Sequence, residues 1–269
     1  MPRVLGVMLA AALLCTVSGI QAGAPKPPKG FRLASDLEMW RLGPIDHMDV
    51  DYEVTLVKDQ VRVETRVEFV AREDREWKAK KPSKPKHSIF LGHATGTWSM
   101  GVGARVEDGW IHGWDMGEFG GALYWFSKGG ETYKKIDGRN TVAVTATSEG
   151  VFAFQSLAHF MFRYSRFIKL EKAKGAWQAR LVTDLHDCPQ AILFTGKRFL
   201  YVGPEYVSTM KLDGTQRLVY RSPREMRAGG IYQRRNGEVW IGNSRSVLCL
   251  SPKGNGEFKP YWFRPVKPR

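Results

Sequence analysis

Cysteine is scarce in this sequence, with three copies among 269 residues. Cys15 lies inside an apolar N-terminal run, so only Cys188 and Cys249 remain in the rest of the chain. In an exported protein these two cysteines could pair. They fall in different repeats of the pattern described below, one in a loop and one within a strand. We therefore predict two free, buried thiols, with a disulfide between them as the alternative.

Several functional motifs are also missing, and each absence argues against one class of protein. No Cys/His finger spacing or RNA-binding aromatic motif is present, so a nucleic-acid partner is not expected. No G-x-S-x-G segment marks the nucleophile of a serine hydrolase. Helical periodicity is missing as well, so no phosphate-binding glycine loop opens a helix, and a nucleotide enzyme is not expected.

Acidic residues are outnumbered, with 27 Asp and Glu against 41 Lys and Arg, which gives a net charge of +14. A basic surface attracts anionic lipid, nucleic acid or acidic polysaccharide, although charge spread over the surface for solubility is the simpler interpretation. Part of the excess is local, because Lys78–Lys86 holds five lysines and two prolines. That segment is predicted to be a solvated linker or loop.

Long apolar runs are confined to the N-terminus, where Val4–Val17 is almost unbroken after the basic Arg3. The run is too short for a membrane span and is followed by Ile20–Ala22, which suits cleavage after a small residue. We predict a signal peptide at 1–22, export to the periplasm or outside the cell, and no membrane span in the mature chain. Lipid attachment at Cys15 is the less favoured alternative.

After the predicted signal peptide, residues 23–30 read as a disordered Pro/Lys linker. Val50–Ala71 then alternates apolar and charged residues around a turn at 58–60, and Val67 and Phe69 continue the apolar face. This alternation is typical of half-buried antiparallel strands, so the segment is predicted to be a hairpin.

The rest of the chain contains a sequence repeat. Turn glycines precede a strand at Gly109, Gly150, Gly196 and Gly237, which lie 41, 46 and 41 residues apart. Each has one strand before it and three after it, so the units cover about 98–137, 140–184, 188–221 and 226–263. Four strands in about 42 residues is the spacing of a propeller blade.

The predicted fold is therefore all-β: one propeller domain over 31–269, with almost no helix after residue 30. Five blades are favoured, namely the four clear units plus the N-terminal hairpin as the first blade. The alternatives are a four-bladed ring and a hairpin that forms a separate small β element.

The stretch EVWIGNSRSVLCLSPKG at 238–254 joins an aromatic-Ile-Gly strand, a polar loop and a Leu-rich strand that ends in a Pro-Gly turn. It resembles the bacterial two-component-regulator type of propeller repeat. GGALYWFSKGG at 120–130 and YVSTMKLDGT at 206–215 resemble the second half of that repeat. The resemblance implies a propeller, and that family's repeats usually sit in multi-repeat sensor ectodomains.

In a propeller, the loops that join second to third strands, and those that join one blade to the next, gather on one face. Ligand sites usually lie there. The predicted second-to-third loops include Asp115–Gly121 and Leu157–Ser165. From this face we select candidate ligand-binding residues. They are His112, Trp114, Asp115, Glu118, His159, His186 and Arg227.

The Asp115–Gly121 loop is the centre of this hypothesis, because it combines carboxylates and glycines beside a histidine and aromatics. Its spacing matches no standard metal motif, so neither a metal nor a cofactor is predicted. Trp98, Trp110, Trp114 and Trp125 could stack on sugars, but filling the space between blades is the favoured interpretation.

The favoured function is an exported, non-catalytic binding propeller for an anionic glycan, a cell-wall fragment or a protein partner. One alternative is a glycan-cleaving enzyme that uses two rim carboxylates, drawn from Asp115, Glu118, Asp187 and Glu205. Another is a scaffold subunit without a small ligand.

Overall fold

The computed structural model describes residues 24–35, 38–39, 50–80, 100–159 and 162–266. The predicted signal peptide, Cys15, Trp98 and most of the lysine-rich segment lie outside these ranges. No helix in the described ranges is long and apolar enough to cross a membrane.

Four antiparallel sheets of consecutive strands make up most of the structure. Sheet 1 contains β4 (Met100–Val106), β5 (Gly109–Asp115), β6 (Gly121–Ser127) and β7 (Tyr133–Asp137). Sheet 2 contains β8 (Thr141–Thr147), β9 (Gly150–His159), β10 (Phe162–Ala173) and β11 (Ala176–Asp184). Sheet 3 contains β12 (Ala191–Phe194), β13 (Arg198–Val202), β14 (Tyr206–Lys211) and β15 (Gln216–Arg221). Sheet 4 contains β16 (Ala228–Gln233), β17 (Val239–Asn243), β18 (Ser246–Gly254) and β19 (Glu257–Pro265).

These sheets confirm the four predicted repeats. Gly196 and Gly237 lie in the predicted turns with φ of +87° and +86°, a region that glycine enters without the steric cost of a Cβ. One predicted loop is wrong, because Leu157–Ser165 is mostly strand: β9 continues to His159 and β10 begins at Phe162. The protein is an all-β propeller.

Strand alternation explains how the sheets pack in a row. In β9, Val151 and Ala153 pack with sheet 1 residues, whereas Phe152 and Phe154 pack with Phe199 and its neighbours in sheet 3. Successive side chains of a strand point to opposite faces, so an inner sheet that is apolar on both faces can be buried between two others. A similar apolar cluster joins sheet 3 to sheet 4.

The N-terminal part of the chain packs against sheet 4. A strand β1 (Phe31–Ala34), which the sequence pattern did not indicate, pairs with β19 and gives sheet 4 a fifth strand. The segment predicted as a disordered linker precedes it, and there Pro25 and Pro28 are buried.

The predicted N-terminal hairpin is confirmed as β2 (Tyr52–Val57) and β3 (Gln60–Thr65), and it packs against β16 and β17. The approach is close, because a Cβ on Gly242 would lie 2.1 Å from the Tyr52 carbonyl oxygen. The hairpin has two strands where each full unit has four, so a fifth complete blade is not confirmed.

The prediction of almost no helix is wrong for α1, which spans Arg66–Lys80. It includes Val67 and Phe69, which were assigned to a strand, and the first lysines of the predicted linker. A capping box starts the helix: the Glu68 backbone N–H donates to Thr65 Oγ1 at 3.3 Å, and the Thr65 N–H donates to Glu68 Oε2 at 2.8 Å. The Thr-x-x-Glu signal was present in the sequence, but the apolar alternation of β3 continued through it.

Candidate functional site

The second-to-third strand loops and the links between sheets lie at one end of the strands, which we call the loop face. Here a cavity of about 310 Å³ opens, with walls from all four sheets or the links before them. We call it the Asp115 cavity. It is lined by Asp115, Gly117, Val142, Ser156, Leu157, Ala158, Cys188, Pro189, Gln190, Arg227 and Ala228.

Asp115 ends β5, and its carboxylate is held in place by local and distant donors. Oδ1 accepts hydrogen bonds from the Gly117 backbone N–H at 2.9 Å and from Asn140 Nδ2 at 2.6 Å. Both hydrogen bonds reach the same oxygen, so Oδ2 is the atom left for a ligand. Such a pre-positioned acceptor loses little conformational entropy on binding.

Asn140 organises this side of the cavity although it lies outside the lining. It is 3% exposed, and its Nδ2 also donates to the carbonyl oxygens of Gly117 at 2.8 Å and Gly120 at 2.9 Å. Tyr164 donates its hydroxyl to Asn140 Oδ1 at 3.0 Å and accepts from the Asn140 N–H at 2.8 Å. Burial raises the pKa of Tyr164, so the phenol stays protonated as that donor.

Arg227 stands on the link between sheets 3 and 4. Its backbone N–H donates to Asn243 Oδ1 at 2.7 Å, and the next residue, Ala228, donates its N–H to Gln190 Oε1 at 2.7 Å. Within the described ranges, no acidic side chain lies within 4.0 Å of its guanidinium. A half-buried cation of this kind, fixed through its backbone, can receive an anionic group of a ligand.

The remaining wall is mainly apolar. Leu157 and Ala158 lie near the end of β9, and Cys188 and Pro189 lie on the link to sheet 3. The cavity therefore combines one carboxylate, one guanidinium and an apolar surface. That combination is typical of sites for small polar ligands, in which few polar groups set the orientation.

Two of the selected residues, Asp115 and Arg227, line this cavity. His112 and Trp114 do not, because they lie on the opposite face of β5 from Ile111, which packs toward sheet 2. The Trp114 side chain is 3% exposed, with its ring 4.5 Å from that of His112 and 5.4 Å from that of Tyr124. Trp114 thus packs as a core residue against side chains of sheet 1. Trp110 is 40% exposed, so the core interpretation is wrong for that tryptophan.

Of the other selected residues, Glu118 and His186 lie at the loop face outside this lining. Glu118 is exposed in a 3₁₀ turn, Gly117–Phe119, and His186 is exposed on the link between sheets 2 and 3. His159 is the last residue of β9. His112 lies in the middle of β5 and not at this end of the strands, and the lining of the cavity includes Asp115 and Arg227 from the selected set.

Asp187 was considered as a rim carboxylate, but in the structure its carboxylate accepts hydrogen bonds from backbone N–H groups. Oδ1 accepts from the Cys188 N–H at 2.8 Å, and Oδ2 accepts from the N–H groups of Glu205 at 2.9 Å and Tyr206 at 3.1 Å. Its hydrogen bonds hold the β13–β14 loop against the link before sheet 3.

The described residues contain no group of three or more His, Cys, Asp or Glu side chains placed to hold a metal ion. Cys188 and Cys249 are free and buried, which confirms that prediction.

Comparisons with protein-family models and with curated proteins found no match. A catalytically inactive virginiamycin B lyase from Staphylococcus aureus, solved with quinupristin, is 11% identical with a TM-score of 0.40, over 62% of this chain and 56% of that chain. A streptogramin B lyase is 12% identical with a TM-score of 0.39, over 64% and 61%. A gluconolactonase from Xanthomonas campestris is 10% identical with a TM-score of 0.37, over 61% and 55%. This chain thus spans 55 to 61% of the length of those structures.

Proposed function

We propose that this protein is a non-catalytic binding propeller whose Asp115 cavity takes an acidic sugar unit of an anionic glycan or cell-wall fragment. The observation that carries the proposal is the Arg227 guanidinium, which has no acidic partner in the described ranges and shares the cavity with a pre-positioned carboxylate.

The chemistry of the wall fits a sugar acid. Arginine binds carboxylates through two parallel N–H···O bonds, so Arg227 would receive the acid group. Asp115 Oδ2 would accept hydrogen bonds from sugar hydroxyls, and Leu157, Ala158 and Pro189 offer an apolar surface for the C–H face of the ring. A water fills about 30 Å³ of liquid, so 310 Å³ corresponds to roughly ten waters, enough for one sugar unit.

The glycan-cleaving alternative has less support. Glycoside hydrolysis generally needs two carboxyl groups across the scissile bond. Asp115 is the one carboxylate among the described residues that line this cavity, and Asp187 accepts hydrogen bonds from three backbone N–H groups. A binding role needs no second carboxylate, so the described geometry favours it.

Cellular location and family remain part of the proposal. The apolar run at 4–17 supports export, which would place the cavity where cell-wall and extracellular glycans occur. The repeats support a propeller of the two-component-regulator type. We retain a protein partner as an alternative ligand class.

The test uses isothermal titration of the mature chain with trigalacturonate, with neutral galactotriose as the matched ligand. We expect saturable 1:1 binding of trigalacturonate that weakens with salt, because the interaction depends on charge. Arg227→Gln should weaken it by about tenfold or more, since a hydrogen-bonded charge is lost.

Arg180→Gln is the control variant, because it removes the same charge from β11, where the exposed Arg180 pairs with Glu171 at 3.4 Å. Equal affinity in Arg227→Gln and the original protein, or an equal loss in Arg180→Gln, would contradict the proposal. Release of shorter sugars from trigalacturonate, abolished in Asp115→Asn, would instead support the enzyme.

A further inference from the structure

A second cavity, of about 360 Å³, lies at the opposite end of the strands, between sheets 3 and 4. Leu200, Thr209 and Arg217 are adjacent across β13, β14 and β15, so they form one row on sheet 3. Phe258 of β19 lies on the sheet 4 side. We call this space the basic cavity.

Among the residues that the structure describes, three cations line the basic cavity and no acidic residue does. The cations are Lys197, Arg198 and Arg217. Within the described ranges, none of the three forms an ion pair. Elsewhere on the surface, exposed cations do pair with acids: Lys172 lies 2.9 Å from Asp108. Three like charges around one space repel one another, and an anion bound among them would relieve that repulsion.

The residues around these cations hold two of them in position and provide an apolar surface. A Cβ on Gly256 would lie 2.6 Å from Arg217 Nη1, so the absence of a side chain lets the guanidinium lie close to the turn. Thr195 Oγ1 donates to the Arg198 carbonyl oxygen at 2.9 Å, which holds the turn that carries Arg198. Leu200 and Phe258 provide apolar contact inside.

We propose that the basic cavity is a second ligand site, which binds a phosphate or sulfate ester of a small polar molecule. Two guanidiniums and one ammonium can contact the oxygens of a tetrahedral oxyanion, and arginine forks suit it particularly well. The volume corresponds to roughly a dozen waters, so the site holds the ester group and about one ring beside Phe258. This site is independent of the Asp115 cavity and of its proposed ligand.

Glucose 6-phosphate, glucose 6-sulfate and glucose are the three probes, titrated calorimetrically into the mature chain at constant ionic strength. We expect saturable 1:1 binding of at least one ester and none of glucose. Arg217→Gln and Arg198→Gln should each weaken binding by about tenfold. Arg217→Lys should weaken it less, because lysine keeps the positive charge but cannot form two parallel N–H···O bonds.

The two esters distinguish the source of the oxyanion. A phosphomonoester has a second pKa of about 6, so it loses one negative charge below that pH, and preference for it should fall there. A sulfate ester keeps its single charge. Tighter binding of glucose 6-phosphate points to phosphorylated ligands, and tighter binding of glucose 6-sulfate points to sulfated glycans.

Arg227→Gln and Arg180→Gln are the controls, and both should bind the ester like the original protein. All of these arginines are at least partly exposed, and the unliganded Tm of each variant verifies its folding. No saturable ester binding, or an equal loss in Arg180→Gln, would overturn this proposal. Because trigalacturonate tests the other cavity with a different variant, the two proposals can fail separately.

Discussion

Asn140 connects three neighbouring parts of the loop face through one amide. It donates to Asp115 and to two carbonyl oxygens of the following turn, and it is held by Tyr164 from sheet 2. These are the buried polar contacts that set the position of the Asp115 carboxylate.

Asn140→Ala should lower the free energy of unfolding by about 2–4 kcal/mol, because several buried acceptors lose their donor. Tyr164→Phe removes a single hydroxyl and should cost about 1 kcal/mol. Urea denaturation of both variants measures the difference. A change within about 0.5 kcal/mol for Asn140→Ala, which is usual for neutral surface sites, would contradict this role.

The two thiols differ in their surroundings and should differ in reactivity. Cys249 is 0% exposed, and burial, with Glu238 nearby, raises its pKa far above the ordinary thiol range. Cys188 is 9% exposed and lines the Asp115 cavity. The thiolate is the reactive form, so Cys249 should stay inert at alkaline pH while the protein is folded.

Iodoacetamide at pH 8.5 should therefore modify Cys188 before Cys249, and peptide mass spectrometry would follow the two sites. In guanidinium chloride the two rates should become similar, which is the control. Equal rates in the folded protein would show that burial does not distinguish them.

The β2–β3 hairpin buries an acidic side chain where it packs against sheet 4. Glu53 of β2 is 8% exposed, and a Cβ on Gly229 of β16 would lie 2.8 Å from its Cδ. Burial raises the pKa of Glu53, while Arg66, at 3.6 Å, partly offsets this effect. A carboxyl with a raised pKa in the folded state stabilises that state below its unfolded pKa, and this contribution is lost as pH rises through the folded value.

Glu53→Gln should therefore raise the Tm at pH 7.5, and the gain should vanish as pH falls to about 4, where the carboxyl is protonated. Glu257→Gln, in the exposed start of β19, should show no such trend. Thermal unfolding across a pH series measures both variants. A lower Tm for Glu53→Gln at pH 7.5 would show that the ion pair with Arg66 outweighs desolvation.

The same element shows where local patterns mislead. The hairpin up to Thr65 was predictable, because period-2 alternation and a turn are local signals. Val67 and Phe69 continue that alternation by chance, and the capping box at Thr65 and Glu68 decides for helix instead. Two local signals competed here, and the end of the strand was set by the stronger one.

For the whole molecule, the N-terminal strand covers the outer edge of sheet 4. All four residues of β1 pair with β19, from Phe31 opposite Pro265 to Ala34 opposite Trp262. An uncovered strand edge has unpaired backbone groups and tends to associate with other chains. The arrangement also brings residues from the start and the end of the described chain together.

A chain that begins at residue 35 should lose about 2–4 kcal/mol, from backbone hydrogen bonds worth about 0.5–1.5 kcal/mol each. The Tm should fall by about 5–10 °C, and the protein should self-associate more. Scanning calorimetry and light scattering measure the two effects. A truncated chain with an unchanged Tm would show that β1 contributes little.

The loop face as a whole was predictable, whereas its cavity was not. Consecutive antiparallel strands put the second-to-third strand loops and the links between sheets at one end, because the direction of each strand follows from the one before it. His112, in the middle of β5, does not lie at that end. Asp115 and Arg227, both selected from the sequence, line the same cavity. Asn140, which positions Asp115 from 25 residues away, was missed because no local pattern marks its amide.

The sequence by itself determined the repeat, the strand spacing and the turn glycines, because each depends on backbone conformation over a few residues. Only the tertiary structure decided that Trp114 is core, that β1 joins sheet 4, and which side chains share a cavity. Those outcomes depend on how whole sheets pack beside one another. Burial, unpaired charge and enclosed volume are properties of that packing, and they arise between residues that are far apart in the chain.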